Sequence, residues 1–189
     1  SHVDSRDLGL FSSYIDALHE TWQISGDFNG KVDDFVLSNT DLHFGKSSRL
    51  AGEIGFKGLP TIEGVVMDIR LSQSKIDPAD IVQYYPEWDM HEDLQKFGYT
   101  VLDGSFKGTL EDFAVDASAS SELGELAGDL VFHIGDAKNT TYSGEVKTTA
   151  FAIGTLLEDE DNWQELDFEG KIYGKGLELQ SASTDVNVL

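Results

Sequence analysis

Apolar and polar residues alternate along most of the chain from Ile24 onward. The segments 50–57, 65–71, 126–134 and 142–147 each place hydrophobic or glycine residues at every second position, with mainly polar residues between them. A period of two is typical of a β-strand with one apolar side and one solvent-facing side. Turn-forming residues separate such segments, for example at 39–41, 58–60 and 135–136. The pattern predicts a mainly β fold, an antiparallel meander of roughly ten to twelve strands with one apolar face.

Three segments depart from this period and predict helices. Near the N-terminus, apolar residues recur every three or four positions, which predicts an amphipathic helix over 5–23; its stripe is Leu8, Phe11, Ile15, Leu18 and Trp22. Asp77 followed by Pro78 is typical of a helix start and predicts a short helix near 78–85. A second short helix is predicted near 149–157. No low-complexity linker divides the strand sets in 24–189, so residues 1–189 are interpreted as one elongated domain.

A short motif, an aromatic residue followed two positions later by glycine, opens three of the predicted strands. It reads Phe28-Asn29-Gly30, then Phe106-Lys107-Gly108, and in a weaker copy Phe168-Glu169-Gly170. Repetition at long period is the mark of stacked supersecondary units. An aromatic ring can lie over the bare backbone of such a glycine, and the missing side chain lets a sheet curl. The repeat therefore predicts a long, curved sheet that forms a trough.

Charge and cysteine content exclude several function classes. The formal net charge is −22, from 35 acidic and 13 basic residues. Such a surface repels phosphate backbones and anionic bilayers, so we expect no nucleic-acid binding and no docking of this segment on a membrane surface. The absence of cysteine excludes disulfides, thiolate metal sites and cysteine nucleophiles. We expect the chain to be an internal segment of a longer protein.

Candidate catalytic and metal-binding residues are few. Adjacent carboxylates occur at 33–34, 111–112 and 158–161, but neighbours on a strand point to opposite faces, and acidic residues are abundant throughout. The five histidines show no ligand spacing, and the run 158–161 lacks the glycine and spaced ligands of a calcium loop. We expect no enzymatic activity, no metal and no cofactor.

One stretch resembles a known family. Residues 41–60, which read DLHFGKSSRLAGEIGFKGLP, resemble the TamB proteins (translocation and assembly module), in particular their form in Bacteroidetes. TamB belongs to the wider AsmA-like group of bridge-like lipid carriers. The resemblance extends to residues 74–86, where a short helix follows Leu-Ser-x-Ser, and to the strands at Phe106 and Phe168.

The resemblance implies a periplasmic location, within a full-length protein anchored in the inner membrane and reaching toward the outer membrane. It implies a half-pipe sheet, a β-taco, whose concave apolar face shields phospholipid acyl chains in transit. It further implies a role in outer-membrane biogenesis and protein assembly, with a barrel assembly protein as a partner through parts absent here.

The predicted lining of the groove is the apolar side of the alternating segments. It comprises Phe28, Val32, Phe35, Leu50, Ile54, Phe56, Val65, Met67, Ile69, Phe106, Leu110, Phe113, Leu130, Phe132, Tyr142, Val146, Phe168 and Ile172. Two other functions remain open: a structural or adhesive β-solenoid that spans distance without a ligand, and a carbohydrate-active enzyme. Unpaired sheet edges also leave open the self-association of two copies.

Overall fold

The computed structural model describes residues 2–4, 21–59, 64–83, 91–135, 139–176 and 182–185. These residues form one antiparallel sheet of eleven strands whose spatial order is their order in the sequence. The strands are β1 (His2–Asp4), β2 (Thr21–Lys31), β3 (Asp34–Phe44), β4 (Ser48–Lys57), β5 (Val66–Ile76), β6 (Thr100–Gly108), β7 (Asp112–Ser121), β8 (Gly124–His133), β9 (Thr141–Ala152), β10 (Glu165–Lys175) and β11 (Ala182–Asp185). Three short helices are α1 (Pro78–Val82), α2 (His91–Lys96) and α3 (Ile153–Leu157). The predicted mainly β meander is confirmed.

Some predicted boundaries are wrong. Residues 21–23, assigned to the N-terminal helix, belong to β2, because Trp22 and its neighbours pair with β1. The rest of that predicted helix, 5–20, lies outside the described residues. Residues 149–152, assigned to a helix, continue β9, and only 153–157 are helical. The helix predicted near 78–85 is described as helical over 78–82.

The predicted break at 39–41 is also wrong. Strand β3 continues through it as a β-bulge, where the register with β4 shifts between Leu37 and Thr40. Asn39 takes the left-handed conformation, with φ of 52°, and its side-chain amide donates a hydrogen bond of 2.8 Å to the Asp27 carboxylate. Asparagine is among the residues that best tolerate this conformation, so a turn-like residue here bends a strand without ending it.

The glycine of the repeated motif has a structural role. Gly30 and Gly108 both have positive φ, 125° and 138°, and each pairs directly across from an aromatic residue, Phe35 and Phe113. A Cβ atom at either glycine would lie 2.3 or 2.2 Å from a backbone carbonyl oxygen of the neighbouring strand. The two hairpins, β2–β3 and β6–β7, are therefore built alike, and no other residue type fits this position without strain.

The strand ends form two opposite sides of the sheet, and these two sides differ. One, the helix edge, consists of α1–α3 and the turns at 45–47 and 122–123. The other, the turn edge, consists of residues 32–33, 58–59, 64–65, 109–111, 134–135 and 139–140. The described hydrophobic residues that are almost fully buried are Leu42, Phe44, Leu123 and Phe151, all toward the helix edge, and Val65 at the turn edge. The well-covered core thus runs along one side of the sheet.

Helices α2 and α3 are joined to each other and to the sheet at the helix edge. The Lys96 ammonium donates hydrogen bonds to the Leu156 carbonyl at 3.0 Å and contacts the Glu158 carboxylate at 2.9 Å. Hydrogen bonds to Glu158 and Asp93 raise the pKa of Lys96, so it stays charged. The Phe97 ring lies 6.2 Å from that of Phe151.

A buried carboxylate fixes α1 to the turn between β3 and β4. Asp80, only 3% exposed, accepts hydrogen bonds of 2.8–2.9 Å from the backbone N–H groups of Lys46, Ser47 and Ser48. Burial by itself raises the pKa of Asp80, but these donors together outweigh it and leave the pKa below its usual value. Asp77 caps α1 by accepting from the Ala79 N–H, and it also accepts from the Ser47 hydroxyl.

Replacing Asp80 with alanine should lower the free energy of unfolding by about 2 kcal/mol, since three backbone donors lose their acceptor. Because the pKa of Asp80 is lower in the folded than in the unfolded chain, its contribution is complete above the usual carboxyl pKa of 3.8 and disappears as the pH falls through the folded value. Urea unfolding at pH 7 and pH 3 should therefore show a smaller difference between wild type and Asp80→Ala at pH 3. As a control, Asp116→Ala on an exposed position should change stability by less than about 0.5 kcal/mol.

Candidate apolar binding face

The strand register places the apolar residues of successive strands in rows on one face, because directly paired residues of antiparallel strands share a face. The row nearest the turn edge is Gly30, Phe35, Phe56, Met67, Gly108, Phe113, Phe132, Tyr142 and Gly174. The next is Phe28, Leu37, Ile54, Ile69, Phe106, Val115, Leu130, Gly144 and Ile172. Two rows closer to the helix edge contain Thr40, Gly52, Leu71, Gly104, Ala117, Gly128, Val146 and Gly170, and then Leu42, Leu50, Leu102, Ala119, Leu126, Thr148 and Phe168.

Fifteen of the eighteen predicted lining residues lie in strands, and the register places all fifteen on this one face. We call it the apolar face. The other three lie at the turn edge: Val32 and Leu110 are in turns, and Val65 directly precedes β5. Val32 is 70% exposed and Leu110 60% exposed, whereas Val65 is buried.

Most of the apolar face is neither closed core nor free surface. Of the fifteen strand residues, fourteen are half-buried, and Phe28 is exposed. Side chains in a closed sandwich core are mostly inaccessible to solvent because a second layer covers them. Among the described residues, all strands belong to the single sheet, and none forms a second sheet over this face.

Aromatic rings contact each other across the strands in two groups. Phe35 lies between Phe28 and Phe56, with ring centroids 5.1 and 5.7 Å apart. In the second group Phe113 stacks between Phe106 at 4.7 Å and Phe132 at 4.9 Å, and Phe132 lies 6.2 Å from Tyr142. Tilted and stacked pairs at these distances stabilise neighbouring strands, so the rings form an ordered surface even where one side is open.

The opposite face is charged. Arg70 pairs with Glu53 at 2.9 Å and with Asp68 at 3.1 Å, and Lys147 pairs with Glu169 at 2.8 Å. Two shallow depressions of the described surface, about 400 and 600 Å³, are lined mainly by residues of this face, including Tyr173 in the smaller and Asp129 in the larger. A twisted sheet is saddle-shaped, so each of its faces is concave in one direction and convex in the perpendicular direction.

The carboxylates noted in the sequence do not converge on a cleft. Asp34 lies 3.8 Å from Lys57, Asp112 contacts His133, and Asp159 accepts from the Asn162 amide. Within the described ranges, no group of three or more histidine, aspartate or glutamate residues is arranged to hold a metal ion.

Sequence reasoning missed several residues of the apolar face. Leu37, Leu71 and Val115 lie in its rows, and each stands at the period-two position that the neighbouring lining residue predicts. The glycine and alanine residues at 52, 104, 117 and 128 form a row of small side chains between bulkier ones. Only the strand register aligns them, so the sequence gives little signal for this row.

Charge is distributed unevenly between the two edges. In connections and helices of the described helix edge, and at the first residue of β10, there are ten carboxylates, Asp77, Asp80, Glu92, Asp93, Glu122, Glu158, Asp159, Glu160, Asp161 and Glu165, and two lysines, Lys46 and Lys96. The described turn edge with its flanking strand ends has four carboxylates, Asp33, Asp34, Glu111 and Asp112, and three lysines, Lys31, Lys57 and Lys175. Of the two edges, as far as they are described, the helix edge is therefore by far the more acidic.

Comparison with known proteins adds no family assignment. None of the helices in the described part of the chain has the length and apolar character needed to cross a membrane. No protein-family model, no curated protein and no solved structure matches the chain.

Proposed function

We propose that this chain is a segment of a bridge-like lipid carrier of the TamB and AsmA-like kind, whose apolar face shields phospholipid acyl chains. The proposal rests on one observation: an apolar face continuous across β2–β10 whose side chains stay half-exposed. A hydrophobic surface of this extent on a soluble protein marks a site that is covered by a partner or ligand. The resemblance of residues 41–60 to TamB directs the choice of ligand to lipid.

The dimensions and energetics suit an acyl chain. Strands spaced about 4.8 Å apart give the nine strands β2–β10 of the apolar face a span of roughly 40 Å, longer than a single tail. Burying each methylene group contributes about 0.8 kcal/mol, so a tail of roughly fifteen carbons gains on the order of 12 kcal/mol. This gain is large enough to offset much of the cost of extracting a lipid from a bilayer, without a specific polar site.

In this proposal the sheet is curved, with the apolar face on the concave side of a half-pipe. The bulges in β3 and β5 and the positive-φ glycines of the repeated hairpins support curvature, since such features bend and coil sheets. The full-length protein would be anchored in the inner membrane and cross the periplasm. It would support outer-membrane biogenesis and protein assembly, with a barrel assembly protein bound through other parts of the protein.

Site-specific photocrosslinking in cells tests the proposal. A photoreactive amino acid at Ile54, Met67 or Phe132 should give lipid adducts that mass spectrometry identifies as phospholipid. The same amino acid at Glu53 or Asp68, neighbours on the charged face, should give none. The absence of lipid at all five positions would favour the ligand-free spacer, and adducts at Glu53 and Asp68 alone would contradict the assignment of the face.

A further inference from the structure

We propose, resting on the lipid-binding function above, that a bound anionic phospholipid is oriented across the sheet. Its acyl tails lie on the apolar face, and its phosphate headgroup lies along the turn edge and not along the helix edge. Two independent features of the edges support this orientation: how far each covers the apolar face, and the charge that each carries.

The first feature is cover. Toward the helix edge, Leu42, Phe44 and Phe151 are 9%, 8% and 5% exposed. These side chains have little surface left for a ligand. Toward the turn edge, the aromatic row remains half-buried, and Leu110 beside it is 60% exposed. A tail can therefore reach the face from the turn edge without displacing a helix.

The second feature is charge. Exposed apolar residues occur at both edges, for example Val32 at the turn edge and Trp163 near α3, so exposure alone does not distinguish them. The helix edge has ten carboxylates against two lysines in its described part, whereas the described turn edge is close to neutral. The headgroup of an anionic phospholipid such as phosphatidylglycerol has a net negative charge, and like charges repel within a Debye length of about 8 Å at physiological ionic strength. The headgroup is therefore favoured at the turn edge.

Crosslinking with two lipid probes tests the orientation. One phosphatidylglycerol analogue carries a diazirine in the acyl tail, the other carries it in the headgroup, and each is loaded onto the purified chain. Peptide mapping should find tail adducts on apolar-face residues such as Ile54 and Leu130, and headgroup adducts on turn-edge segments 31–34 and 109–112. Headgroup adducts at the helix edge, or equally at both edges, would overturn the orientation while leaving lipid binding intact. The absence of tail adducts on the apolar face would instead overturn the proposed function.

A matched pair of charge reversals provides a second test. Glu111→Lys at the turn edge should increase binding of phosphatidylglycerol about two- to fivefold, since one basic residue near an anionic lipid contributes about 1 kcal/mol. Asp161 is also exposed, but it lies beyond α3 at the helix edge. Asp161→Lys should change the binding of phosphatidylglycerol less than 1.5-fold, because salt screens a charge that lies more than a Debye length from the headgroup. Equal effects of the two variants, or a larger effect of Asp161→Lys, would contradict the orientation.

Discussion

Replacing Leu130 with glutamate should reduce phospholipid binding at least tenfold, whereas replacing its neighbour Val131 with glutamate should leave binding nearly unchanged. Leu130 lies in the second row of the apolar face, paired with Val115 and Gly144, and a carboxylate there would lose its hydration against an acyl tail. Desolvating an unpaired charge costs several kcal/mol, more than a tenfold change in affinity requires. Val131 is 41% exposed on the charged face and pairs with Ala114 and Ser143, so a carboxylate there stays hydrated.

Lipid content of the two variants can be measured by extraction of the purified proteins and quantitative mass spectrometry. Thermal unfolding of each variant separates loss of binding from loss of fold. Equal lipid content in Leu130→Glu and wild type would show that tails do not lie on the apolar face at β8. Loss of lipid in Val131→Glu alone would place them on the charged face.

Replacing Gly108 with alanine should lower the free energy of unfolding by about 3 kcal/mol. The new Cβ atom would lie 2.2 Å from the Asp112 carbonyl oxygen and 2.6 Å from the Phe113 Cα atom, and the residue would keep a positive φ. A left-handed or strained conformation costs an L-residue roughly 1–3 kcal/mol, and the backbone contact adds to this.

Gly128→Ala is the matched control. Its Cβ atom would lie 3.4 Å from the nearest atom, the Glu145 carbonyl oxygen, which is ordinary contact. Alanine there should change stability by less than about 1 kcal/mol, measured for both variants by urea denaturation. Equal stability of the two variants would show that the repeated motif does not require glycine.

The sequence predicted the sheet well because a period of two is a local signal. The fifteen strand residues of the lining fall on one face since each strand carries its own alternation and the short turns keep neighbours antiparallel. The bulge at Asn39 escaped prediction because asparagine and aspartate favour turns and also tolerate the left-handed conformation of a bulge. Residues 149–152 carry no break before Ile153, so the end of β9 depended on pairing with β10.

The difference between the two edges could not be predicted from the sequence. Helix α2 has only six residues, too short for a hydrophobic period to be recognised. The burial of Asp80 depends on backbone N–H groups more than thirty positions away, at the turn that begins with Gly45. Such long-range contacts decide which side of the apolar face is covered, and they become visible only in the folded chain.

A nitroxide scan along β8 tests the central claim most directly. The chain has no cysteine, so single cysteines at each position of 125–133 can carry a spin label without competing reaction. With a bound phospholipid that carries a second nitroxide on its tail, dipolar broadening should be stronger at 128, 130 and 132, on the apolar face, than at 129, 131 and 133, on the opposite face. Equal broadening at both sets of positions, no broadening at any position, or stronger broadening at 129, 131 and 133 would contradict a sheet that holds lipid tails on one uncovered apolar face.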